Sequence, residues 1–212
     1  MNGWQVAAGA AAGALLGWAG ARVAPRWLTQ RPEPWEAPLL AAVTGLLGAL
    51  LAVEHPLDEY FWQQIFLIAT VAVAALVDLH DRIIPNELVL FALSVGLAML
   101  FVIPYPEKTW LQGLAGAAAG FGFLLLLALL ARGGMGMGDV KLAGVIGLFL
   151  GIRWISMGLL IAFILGGLVG IFLLLVRRKG RKDEIPFGPF LALGAVITAI
   201  YGSAIWSWYI GM

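Results

Sequence analysis

The chain has no cysteine, which excludes disulfides, zinc–cysteine sites and thiol nucleophiles. Histidine is almost as scarce. His55 and His80 are too few and too far apart to suggest a metal cluster, and solvation of a loop is the simpler reading of each. Charge is scarce too: 12% of the 212 residues are charged, against roughly 25% in soluble domains. The charges balance to +1, so nothing points to a nucleic-acid partner. What remains is 62% hydrophobic, with a mean hydropathy of +0.96. The lipid bilayer is the expected surroundings, and the expected fold class is all-α, a polytopic membrane bundle of about eight helices forming a single domain over residues 1–212.

The apolar runs supply those helices. Trp4–Val23 is about one full span. No basic residue precedes it and several follow it, so it reads as a retained membrane helix rather than a signal peptide. Gly9, Gly13 and Gly17 recur every four residues and give it a flat face for close packing. Arg22, Arg26 and Arg31 mark a short connection with three prolines, reaching Glu36. Further helices are expected over Ala37–Val53, Tyr60–Val77, Leu88–Ile103, Trp110–Leu130, Val140–Leu150, Trp154–Val176 and Pro189–Tyr209. Pro85 cannot sit inside a helix, while Asn86 suits a cap and Glu87 a first turn. Gly116 and Gly120 make a second small-residue face, and Gly166 and Gly170 are likewise four apart.

Basic residues orient this array. The connections after helices one, three, five and seven hold eleven Lys and Arg, among them Arg82, Arg132, Lys141 and the run Arg177–Lys182. Only Lys108 and Arg153 fall on the other side. That bias places the first set in the cytoplasm, with both termini outside.

Against this apolar background two carboxylates stand out. Asp139 lies in Gly133-Gly134-Met135-Gly136-Met137-Gly138-Asp139-Val140-Lys141, between two strongly apolar segments, and Asp78 ends the apolar run Ile65–Val77. An ionisable residue at a membrane helix end is a functional candidate. The topology puts both at cytoplasmic helix ends, at one depth. Two close carboxylates share a proton, giving one base and one acid, which is the minimum equipment of an aspartic protease. Each Asp alone also fits a plainer role as a helix cap or a partner of Arg82 or Lys141. Asp81 reads as a solvated loop charge, and Met135 and Met137 as apolar filling.

Gly136-Met137-Gly138-Asp139 resembles the GxGD motif of intramembrane aspartyl proteases, and its extension Val140-Lys141-Leu142 is similar to the prepilin peptidase branch. Asp78 stands seven residues before Pro85 in Asp-Leu-His-Asp-Arg-Ile-Ile-Pro-Asn, similar to that family's first catalytic Asp with its downstream Ile-Pro-Asn. Ile185-Pro186-Phe187-Gly188-Pro189-Phe190-Leu191 resembles a third family stretch. The three occur in family order across residues 65–200.

That resemblance implies a type IV prepilin peptidase, cutting leader peptides from prepilins or pseudopilins at the cytoplasmic face of the bacterial inner membrane. The cut falls after a Gly and before an apolar mature N-terminus, and serves pilus assembly, type II secretion or competence. Asp78 and Asp139 match the catalytic pair, Gly136 and Gly138 the motif glycines, and Lys141 the basic position after them; Pro85 supports the first motif. The peptidase reaction calls for no cofactor and no metal. Many bacterial members also methylate the new N-terminus with S-adenosylmethionine, and carry a longer, often Cys-containing loop between the first two helices. This chain has only about Arg22–Glu36 there, so peptidase activity alone is the expectation, with the bifunctional enzyme as the alternative. A membrane scaffold or a small transporter is the non-proteolytic rival. A transporter would place its acids near mid-membrane and repeat its own topology, and no internal repeat is visible.

Overall fold

The computed structural model describes residues 3–29, 32–55, 57–102, 109–130, 135–176 and 185–211. Among them are eight α-helices and no strand: α1 (Gly3–Val23), α2 (Glu36–Glu54), α3 (Glu59–Asp81), α4 (Asn86–Val102), α5 (Trp110–Leu130), α6 (Met137–Leu150), α7 (Ile152–Leu175) and α8 (Gly188–Ile210), with one 3₁₀ turn at Ala24–Arg26. Six of them, all but α4 and α6, are long and apolar enough to cross a membrane. At 17 residues α4 is a shorter apolar helix. The eight helices and the all-helical bundle are as expected, and α6, expected to be short, has 14 residues that rise only about 21 Å against a hydrocarbon core of about 30 Å.

The ends of α3 and α6 differ most from the sequence reading. Asp58 caps α3, its carboxylate accepting from Phe61 N at 3.0 Å. The helix then continues one turn past Val77 and closes at Arg82, whose φ of 56° is the left-handed conformation that stops a helix. Asp78 therefore lies inside the last turn of α3. Likewise α6 starts three residues early, at Met137, so that Asp139 is in its first turn.

Helix pairs meet where side chains are absent. In α1, Gly9, Gly13 and Gly17 are all buried against Gly48, Thr44 and Leu40 of α2. In α5, Gly116 lies on the backbone of Gly147 and Gly120 on that of Ala143, both in α6. The pair Gly166 and Gly170 behaves otherwise. These residues face the rings of Phe187 and Phe190 and the side chain of Ile185, while α7 and α8 make their backbone approach at Gly158 and Gly194. Periodicity alone did not distinguish the two sites on α7.

The core lies along α3 and α6. Leu67, Val71, Val73, Ala74 and Val77 of α3 are buried with Val140, Leu142, Ala143, Val145 and Ile146 of α6. Both helices also contact α4 and α8. Gln64 of α3 is fully buried and donates from Nε2 to Phe149 O at 3.4 Å, a polar tie between these two helices.

The α5–α6 contact gives a direct test. A β-carbon at Gly147 would overlap Gly116 O, which is backbone and has no rotamer to yield. Gly147→Val is expected to lower stability by about 3 kcal/mol or more, read as an earlier loss of helical signal on heating in detergent. Gly122→Ala, where nothing stands within 4 Å of the new β-carbon, should melt like the parent.

Candidate active site

Three chain segments converge where α3 ends. The left-handed turn at Arg82 sends the chain into Ile83-Ile84-Pro85, and both Ile84 and Pro85 are buried. Ile84 lies against Gly138: a β-carbon there would come within 2.9 Å of Ile84 Cβ and 3.3 Å of its nitrogen. The glycine just before Asp139 is thus required by contact with the turn that follows Asp78. Lys141 adds a second tie, donating from Nζ to Asn86 Oδ1 at 2.7 Å. Asn86, expected as a cap, is the first residue of α4, and its amide oxygen takes this bond. Two stretches singled out separately are thus docked on one another, Ile84 and Asn86, which flank Pro85 after Asp78, on Gly138 and Lys141, which flank Asp139.

The third segment enters through α8. Phe187 packs against Phe163 of α7 at 5.1 Å between ring centroids and against Phe190 at 6.3 Å. These rings set the start of α8 beside α3, and Gly188 N donates to Asp78 Oδ2 at 2.8 Å. A β-carbon at Gly188 would come within 2.7 Å of that oxygen. Gly188 was missed as an individual residue at the sequence level. Its signal was the glycine between two prolines in an otherwise apolar stretch.

Asp78 and Asp139 are both buried, 5% and 9% exposed, and lie close enough for the charge on one to act on the other. Each also faces the start of a helix, whose first N–H groups have no partner within the helix and carry partial positive charge. For Asp78 this is α8. Asp139 occupies the third position of α6 and bonds back to the backbone of Gly136, as an acidic side chain does in a capping box. Its other oxygen, Oδ1, is buried without a protein hydrogen-bond partner among the described residues. A buried, unpaired carboxylate oxygen beside a second carboxylate can take a proton, a water or a polarised carbonyl.

Other expectations are corrected. Asp81 is no free solvated charge: it is half-buried and receives Thr29 N at 2.7 Å and the Thr29 hydroxyl. His80 pairs with Glu36, 3.1 Å from Nε2 to Oε1, and His55 Nε2 meets Ile200 O at 3.3 Å, so neither is simply a solvated loop residue. Met135 packs on the core as filling, whereas Met137 is half exposed. Gly133, Gly134, Arg31, Arg132, Lys108 and the run 177–182 lie outside the described residues.

The family model that matches residues 65–171 is the type IV leader peptidase family. A prepilin leader peptidase/N-methyltransferase of Bacillus subtilis is 33% identical over 175 residues, which is 82% of this chain and 70% of that protein. The protein of the same name from Aeromonas hydrophila is 33% identical over 195 residues, covering 87% and 67%. That of Pseudomonas putida is 28% identical over 178 residues, covering 80% and 60%. No solved structure matches. Matching motif order, the docking of those motifs around two buried carboxylates and the extent of these similarities lead to one conclusion: the chain belongs to the type IV leader peptidase family.

Proposed function

We propose that this protein is a membrane-embedded aspartic endopeptidase that removes leader peptides from type IV prepilin-like proteins, with Asp78 and Asp139 as the catalytic pair. The observation that carries this reading is the convergence of the two buried carboxylates, each on a different helix, at one end of the bundle. One carboxylate deprotonates a water, the water attacks the scissile carbonyl, and the other carboxyl gives its proton to that carbonyl oxygen. The carboxyl that took the water's proton then gives it to the departing nitrogen, the C–N bond breaks, and the tetrahedral species collapses to the leader's new carboxylate and the amine of the mature protein. Gly136 and Gly138 allow an extended peptide to approach the backbone closely. Lys141 ties the two motif turns together through Asn86, Pro85 shapes the turn after Asp78, and neither has a direct part in bond breaking.

The dyad requires both members. Asp78→Asn and Asp139→Asn are each expected to abolish leader removal from a purified prepilin in liposomes, while the protein still inserts and melts cooperatively. Asp81→Asn should keep most activity, because its hydrogen bonds run to Thr29 and away from the pair. An inactive Asp81→Asn beside an active Asp78→Asn would show that the wrong carboxylate has been named.

The site belongs at the cytoplasmic face of the inner membrane on this reading, supported by the eleven basic residues on that side of the sequence. A single cysteine introduced at Arg181 should be shielded from an impermeant thiol reagent added outside, and one at Glu107 should be labelled. The absence of native cysteines makes the readout clean. The reverse labelling would turn the topology over.

The relatives' name includes methyl transfer, a reaction that uses S-adenosylmethionine. The described residues of the connection between α1 and α2 offer little to hold such a group. A nucleoside cofactor needs a concave site with several placed polar groups. Between α1 and α2 two of the described polar side chains are engaged within the chain: Trp27 Nε1 donates to Glu87 Oε2 at 2.7 Å and Thr29 bonds to Asp81. A concavity beside that connection, between α2, α3 and α8, is lined almost wholly by hydrocarbon. Cleavage without methylation is the reading these residues support. Mass spectrometry of mature pilin, made by this enzyme in a host without other prepilin peptidases, should find an unmodified N-terminal amine. The added mass of one methyl group would overturn the point.

A further inference from the structure

A groove of about 430 Å³ runs down the outside of the bundle between α2, α3 and α8. Its lining on α2 extends from Glu36 to Leu47, about 16 Å at 1.5 Å per residue. One wall is built from Val71 and Ala75 of α3, and Asp78 follows on that side of the helix, seven residues after the first and three after the second. The other wall begins at Pro189, the neighbour of the Gly188 that bonds Asp78. Neither carboxylate lines the groove, which ends at Leu79 and Pro189, the chain neighbours of Asp78 and of its partner Gly188.

Its mouth holds one charged side chain. Glu36 lines the groove and is only 4% exposed. Oε1 is paired with His80, but Oε2 is buried with no hydrogen-bond partner among the described residues. A half-satisfied carboxylate in such surroundings is costly and calls for a further donor.

We propose that this groove seats the apolar helix of the substrate that follows the scissile bond, with Glu36 receiving the start of that helix. The proposal rests on the peptidase reading above. A helix laid in a hydrophobic groove anchors through side chains at i, i+3, i+4 and i+7, and the groove accommodates about ten helical residues. The first turn of any helix carries unpaired N–H donors and partial positive charge. In a substrate whose leader stays on the cytoplasmic side and whose apolar segment enters the bilayer, that turn falls at the Glu36 end. Charge, polarity and direction agree, and the segment just before the helix is delivered to Asp78. An acyl chain of the surrounding lipid would match the hydrocarbon walls and leave Glu36 Oε2 without a donor. Glu36 is on this account a positioning residue.

The native lack of cysteine makes the test direct. In the inactive Asp139→Asn background, a cysteine at Leu193, on the α8 wall, is paired with cysteines scanned along the first dozen residues of the apolar segment of a prepilin. Disulfides are expected at Leu193→Cys with a helical repeat of three to four positions, and not at Leu160→Cys, a lipid-facing position on α7. In the otherwise native enzyme, Leu193→Trp should raise KM about tenfold with kcat nearly unchanged, the signature of lost substrate binding. Leu39→Trp, on the α2 wall, gives the same reading should the first variant fail to insert. Glu36→Gln should also raise KM with little effect on kcat. Equal crosslinking at Leu193 and Leu160, or a KM untouched by tryptophan on either wall, would overturn the groove while leaving the peptidase reading intact. Failure of the unmodified protein to remove any prepilin leader would overturn both.

Discussion

Helices surrounded by lipid gain little by hiding apolar side chains against one another, so close backbone approach decides which of them stay together. Three antiparallel pairs in this protein are formed in that way: α1 with α2 at Gly13 and Thr44, α5 with α6 at Gly116 and Gly147, and α7 with α8 at Gly158 and Gly194. Removing side chains at these points brings many backbone atoms into dispersion contact and admits weak Cα–H···O interactions. The helix that carries Asp78 has no glycine at all. It is held by α1, α2, α4, α6 and α8 around it, and the pairs act as its walls.

The carboxylate pair depends on this arrangement because neither carboxylate is placed by its own helix alone. Asp78 is fixed by a backbone N–H from α8, and Asp139 by the seating of its preceding glycine on the turn between α3 and α4. Each contact joins parts of the chain far apart in sequence, 110 residues for Gly188 and Asp78. A polar pair inside an apolar bundle is thus over-determined by packing. Preorganisation of this kind is what a site needs when it must hold two carboxyl groups close enough to share a proton.

Much of this was legible in the sequence, for identifiable reasons. Helix positions were readable because apolar runs near 20 residues have few alternatives. The two aspartates were readable because carboxylates are rare among such runs. Helix ends were less so: the last turn of α3 contains Asp78, His80 and Asp81, which look like loop composition until Glu36, Thr29 and Gly188 are seen to satisfy them. The burial of Glu36 was illegible, since an acidic residue at the start of a helix is ordinarily a solvated first-turn charge. On α7 the spacing of Gly166 and Gly170 gave no means of knowing that the backbone contact would form at Gly158.

The register of the α5–α6 contact carries one more consequence. With Gly116 on Gly147 and Gly120 on Ala143, each four-residue step along α5 answers four steps back along α6, which sets Asp139 level with Leu124. Helix α5 then continues six residues to Leu130, about 9 Å farther. The carboxylate lies at the bottom of a step of that depth in the wall of the bundle. On the proposed reading, hydrolysis takes place below that rim, and the glycine contact acts as the gauge that fixes how far water must descend.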